Sequence, residues 1–135
     1  MLKRVFLFIF IILALLNCRK DQKNIVDESN SEVEKPKIDF DAMKELIARS
    51  SNIDMDVFFA ISVCHREYIS RYQAEADKLD EEKQKAFYLQ KKIEFFNSIK
   101  YTEEQYNEFM EKNINQMNDY INNHPDISEY LISTN

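Results

Sequence analysis

No glycine occurs anywhere in the 135 residues, and there are only two prolines, two cysteines and two histidines. The missing glycine excludes the Gly-rich phosphate loop and the dinucleotide-binding turn, because both need a residue without a side chain where backbone closes on phosphate. With so few helix breakers and abundant Glu, Lys, Gln and Ala, the composition favours helices over strands. Basic residues are also in the minority, 18 Lys and Arg against 24 Asp and Glu, for a formal charge of -6. That balance argues against nucleic acid as a partner and against electrostatic docking on anionic lipid. Long apolar runs are limited to one, Val5 to Leu16, whose twelve residues fall short of the roughly 17 to 25 that a membrane-spanning helix needs.

That run follows the cations Lys3 and Arg4 and ends against Asn17, Cys18, Arg19 and Lys20, the order of a secretory leader. Leu15, Leu16, Asn17 and Cys18 resemble a bacterial lipoprotein lipobox, relaxed in that Asn17 stands where a smaller residue is usual. The resemblance implies a signal peptide over residues 1–17, cleavage before Cys18, and lipidation of Cys18 by two or three acyl chains. A single chain holds a membrane only marginally, so two or more make a lasting anchor. It further implies a cell-envelope location. Arg19, rather than Asp, after the cysteine favours the outer membrane, with the domain in the periplasm or at the cell surface. Loss of Lys3 and Arg4 with the leader takes the formal charge from -6 to -8.

Residues 18–37 are polar and mixed in charge, with Ile25, Val26 and Val33 as isolated apolar positions. Such a segment buries too little surface to fold. It is expected to be a tether reaching on the order of 25 Å from the membrane. The helical domain is expected over 38–135.

Four helices and a short fifth are read from caps and periodicity. Asp39 caps the first, with Ile38 and Met43 as its hydrophobic staple and Phe40, Met43, Leu46 and Ile47 on one face. Asp54 caps the second, stapled by Ile53 and Phe58, with a stripe running Val57, Ile61, Cys64, Tyr68, Tyr72, Ala76 and Leu79. A turn is expected near Asp80. Ala86, Leu89, Ile93, Phe96 and Ile99 form the third apolar face, flanked by Tyr88 and Phe95. Thr102 and Gln105 make a capping box stapled by Tyr101 and Tyr106, and the fourth helix shows Tyr106, Met110, Ile114, Met117 and Ile121 on one side. It ends at Asn122 and Asn123, before Pro125. Asp126 and Glu129 are spaced as a further box opening a short helix from Ile127 to Ser133. The fold expected is all-α, a small antiparallel bundle of about four helices with a short C-terminal helix.

Candidates for chemistry are few. With Cys18 lipidated, Cys64 is the remaining thiol, and its place on the apolar stripe makes it a packing residue. His65 is adjacent, but neighbours on a helix point about 100° apart. Neither position has a His, Cys or carboxylate four residues on, and His124 sits in a loop, so no metal or nucleophile set is assigned. Glu67 with Arg71, Glu81 with Lys85 and Glu108 with Lys112 read as solvated pairs on helix surfaces. The aromatic doublets Phe58–Phe59 and Phe95–Phe96 are expected to fill a wide core, with one ring of each reaching the bundle edge. Tyr72, Tyr88, Tyr101 and Tyr130 are rings of the type enriched at interfaces. Thr102 and Gln105 also resemble part of the Leu-Thr-x-x-Gln signature of small periplasmic helical chaperones and envelope-stress sensors; no functional residue is carried over from them.

No catalytic residue, cofactor or metal is therefore assigned. The expected function is a non-enzymatic, lipid-anchored envelope protein that binds an unidentified protein partner through a helix face. The alternative is a periplasmic helical chaperone or a metal- or stress-sensing protein.

Overall fold

The computed structural model describes residues 38–133. The segments expected as leader and tether, with Cys18, lie outside them. The described residues form six helices and no strand: α1 (Phe40–Arg49), α2 (Met55–Ser70), α3 (Gln73–Ala76), α4 (Glu81–Ser98), α5 (Glu103–Asn123) and α6 (Pro125–Ile132). The chain is all-α.

The helix starts follow the caps. Asp39 accepts from the Ala42 N–H at 3.0 Å, Asp54 from Val57 at 2.9 Å and Asp80 from Lys83 at 3.0 Å. Thr102 and Gln105 close a full box, with Thr102 Oγ1 accepting from the Gln105 N–H and Gln105 Oε1 from the Thr102 N–H. Each satisfies backbone donors that a helix start leaves unpaired. The turn expected near Asp80 is there.

The last helix departs from its expected start. Asp126 caps nothing; α6 begins at Pro125, with His124 as the flanking residue. Proline suits the first helical position, since its missing N–H is one that position leaves unpaired anyway. Ile127 is buried, and Tyr130 and Leu131 pack beside it as expected.

α2 is shorter than its stripe suggested, stopping at Ser70, so that Tyr72, Ala76 and Leu79 are not part of it. No glycine or proline forces the break. The Ser70 hydroxyl donates to the Glu67 carbonyl at 2.8 Å, competing for the acceptor in line for the next turn. The Tyr72 N–H then bonds the Ile69 carbonyl, three residues back, tightening the end before the single turn of α3.

α2 is also apolar nearly all round, from Val57 to Ile61 and again at Val63 and Cys64, the mark of a helix enclosed by others. Val57, Ala60, Ile61 and Cys64 face one core cluster with Ile47, Phe95 and Tyr101. Phe58, Phe59 and Val63 face a second with Met117 and Ile127. Both rings of the Phe58–Phe59 doublet are thus interior, against the expectation that one would reach the edge. Two cores served by one helix make room for both. Phe58 stacks on Tyr106 at 4.5 Å and Phe59 on Tyr120 at 4.5 Å.

The face assigned to α4 is turned. Phe95 is buried, while Leu89 is 54% and Ile93 43% exposed, and Ala86 is exposed as well. Positions 93 and 95 lie about 200° apart on a helix, so burying one expels the other. The aromatic side prevailed because it meets aromatic partners: Phe95 lies 5.7 Å from Tyr68, and Phe87 lies 6.3 Å from Tyr72. On α5, Ile114 is likewise 38% exposed. Phe109 against Phe58 and Tyr120 against Phe59 rotate the contact line so that Asn113 and Met117 occupy it.

Candidate functional site

Beside the first core cluster α1, α2 and the end of α4 leave an open, mainly apolar groove of about 440 Å³, within the roughly 300 to 1,000 Å³ usual for ligand sites. Its floor is Ile47, Cys64, Tyr68, Phe95 and Ile99. Phe40, Lys44, Ile47 and Ala48 reach it from α1, spaced by four, three and one. Cys64, Glu67, Tyr68 and Arg71 reach it from α2, spaced by three, one and three. Each set is one face of a helix.

Three cations stand on the rim: Lys44 on α1, Arg71 just past α2 and Lys100 just past α4. The one rim carboxylate, Glu67, is engaged internally. One of its oxygens accepts from Arg71 at 3.3 Å and the other from the Tyr130 hydroxyl at 3.1 Å. Burial, and then that bond to Glu67, push the Tyr130 phenol up to about 12. Lys44 pairs with the exposed Asp41 at 3.0 Å. Lys100 donates to the Ala48 carbonyl at 3.0 Å, tying the end of α4 to α1.

Cys64 is a buried free thiol, as expected, and also lines the groove. Burial raises its pKa, with Lys44 opposing and Glu67 adding to the rise, so the thiol stays protonated and a poor nucleophile. His65 goes to different surroundings. Its ring lies 5.0 Å from Phe95 and 6.0 Å from Phe96. Its buried Nε2 has no hydrogen-bond partner among the described residues. Burial, reinforced by nearby Lys92 and opposed by Glu103, lowers its pKa to about 4. His124 turns its Nδ1 to the Tyr120 carbonyl at 2.8 Å and stacks on the Tyr120 ring. The structure does not bring Cys64, His65 and His124 together.

The three carboxylate–cation pairs form as spaced, Glu67–Arg71, Glu81–Lys85 and Glu108–Lys112. Of the four tyrosines marked for an interface, Tyr101 is buried instead, donating to the carbonyls of Ser50 at 2.8 Å and Asn52 at 3.1 Å. There it seals the α1–α2 connection, and it is a core residue. Tyr72 and Tyr88 are half-buried around α3, with Lys91 4.2 Å from the Tyr72 ring centre. Among the described residues, no group of three or more His, Cys, Asp or Glu could hold a metal ion. Nor is any helix there long and apolar enough to cross a membrane.

Sequence reasoning missed the groove's rim. Lys44, Arg71 and Lys100 are separated by 27 and 29 positions, and nothing local links them. The only signal was on α1, where Lys44, Ile47 and Ala48 share a face. Comparison of the chain with known protein families, curated proteins and solved structures finds no match.

Proposed function

We propose that this protein is a non-enzymatic, lipid-anchored interaction module of a bacterial cell envelope, held to the membrane through Cys18, and that the groove between α1, α2 and α4 receives a partner protein. The observation that carries the docking site is the groove itself: an open apolar floor about 440 Å³ in volume rimmed by three cations on a chain of formal charge -6. The leader-like run and the Leu15–Cys18 tetrad support the anchor. Polar groups placed around an apolar floor orient a ligand, while the floor supplies affinity.

Two measurements test the reading in native cells. Mass spectrometry of the membrane fraction should find a mature chain beginning at acylated Cys18, and Cys18→Ala should release the protein from the membrane. A photocrosslinking amino acid at Ala48, on the groove wall, should capture one dominant neighbour, while the same group at the distant Asp119 should not. An unmodified N-terminus elsewhere sinks the anchor; indiscriminate capture from Ala48 sinks the docking site. Leu89 and Ile93, exposed on α4, favour a second reading as a helical chaperone, which would suppress aggregation of unrelated clients.

A further inference from the structure

The groove's shape and charge say more about its occupant than that it is a protein. α1 offers positions 40, 44, 47 and 48 and α2 offers 64, 67, 68 and 71. The strips span eight and seven residue steps, roughly 10 to 12 Å at 1.5 Å per residue. Two helical strips side by side are complementary to a third helix that inserts residues at i, i+3 or i+4, and i+7. The described residues hold no strand edge to which an extended peptide could be added.

Electrostatics narrow the choice again. The rim carries Lys44, Arg71 and Lys100; Lys44 is paired with Asp41 and Arg71 with Glu67, while Lys100 holds only the Ala48 carbonyl among the described residues, so the rim keeps a net positive charge. A cationic partner would be drawn to the acidic remainder of the surface and repelled here. Exposed pairs such as Lys44–Asp41 and Arg71–Glu67 hold weakly, so several carboxylates along a docked helix would meet Lys100 directly and share Lys44 and Arg71.

We propose that the groove binds about two turns of an acidic amphipathic helix from a partner protein, its apolar residues on the half-buried Phe40, Tyr68 and Ile99 that overlie the core and its carboxylates towards Lys44, Arg71 and Lys100. This rests on the docking site of the preceding section and adds the chemistry of what docks.

The test uses the acylated full chain in phosphatidylcholine nanodiscs, with empty nanodiscs as the blank. The probe is a fluorescent 14-residue peptide with Leu at i, i+3, i+4 and i+7 of two turns and Glu on both flanks; its counterpart carries Lys for every Glu. Fluorescence anisotropy should show saturable binding of the Glu peptide and at least tenfold weaker binding of the Lys peptide. In a Lys44→Glu, Arg71→Glu, Lys100→Glu variant the preference should invert. All three side chains are exposed, and circular dichroism checks that the variant folds. In a Cys64→Ser background the bound peptide should also slow alkylation of the thiol introduced by Ala48→Cys, on the exposed groove wall, which places it in the groove.

Equal binding of the two peptides, no effect of the triple reversal, or an unprotected Ala48→Cys thiol would each overturn the proposal. So would displacement of the Glu peptide by sodium decanoate at lower concentration than unlabelled peptide, because the site would then be one for lipid-like anions. If neither peptide binds while photocrosslinking from Ala48 still captures one neighbour in cells, the docking site stands and the acidic helix falls.

Discussion

His65 gives the most quantitative check on the packing. Its folded pKa of about 4 lies below the ordinary value near 6.5. Above pH 6.5 the ring is neutral in both folded and unfolded chains. Between 6.5 and 4 the unfolded chain takes up a proton that the folded chain refuses, so stability falls as the pH is lowered through that window. A shift of this size corresponds to a loss of up to about 3 kcal/mol. The cause is local: the ring is buried against Phe95 and Phe96, Nε2 has no hydrogen-bond partner among the described residues, and the Lys92 ammonium, itself bonded to Glu103 at 2.7 Å, adds repulsion. Urea unfolding followed by circular dichroism at pH 7.5 and 4.5 should therefore show a larger loss for the wild type than for His65→Phe. Carboxylates common to both proteins cancel in that comparison. Nuclear magnetic resonance of the imidazole protons gives the pKa directly. A His65 titration near 6.5, or identical pH dependence in the two proteins, would refute the reasoning.

Three further outcomes are expected. Ile61, fully buried between the helices, should cost about 2 to 5 kcal/mol when changed to Ala, read as a lower urea midpoint with unchanged slope. Arg66 donates to the carbonyls of Leu131 and Ser133 at the end of α6 and lies 5.6 Å from the Tyr130 ring centre; Arg66→Ala should weaken that attachment by about 1.5 to 3 kcal/mol, seen as faster amide exchange confined to residues 127–132. Cys64, only 7% exposed and with its pKa raised by burial, should react with a disulfide reagent far more slowly in the native chain than in urea, and equal rates would place the thiol at the surface.

Features set by a few adjacent residues were legible. Asp39, Asp54 and the Thr102–Gln105 pair read as caps and act as caps, because a side chain reaching a backbone N–H three residues on depends on little else. Orientation was harder. α4 has apolar residues on both sides, and which side faced inward was decided by Tyr68 and Tyr72, far away in sequence. α2 read as a single stripe because its other faces acquire meaning only once α5 and α6 are in place. The groove was least visible of all: its floor looks like ordinary core, and its rim cations belong to three separate elements.

The apolar circumference of α2 has a consequence during synthesis. Residues 57–64 leave the ribosome as an almost unbroken apolar stretch, interrupted only by Ser62. α1 alone covers one side of it. The Phe58, Phe59 and Val63 side waits for Met117 and Ile127, more than fifty residues later. A nascent chain ending before them presents a sticky aromatic surface of the kind that aggregates. Stop codons or proteolytic clips ahead of α6 should thus yield insoluble material rather than a smaller working domain, so quality control of this protein turns on whether α6 has been made.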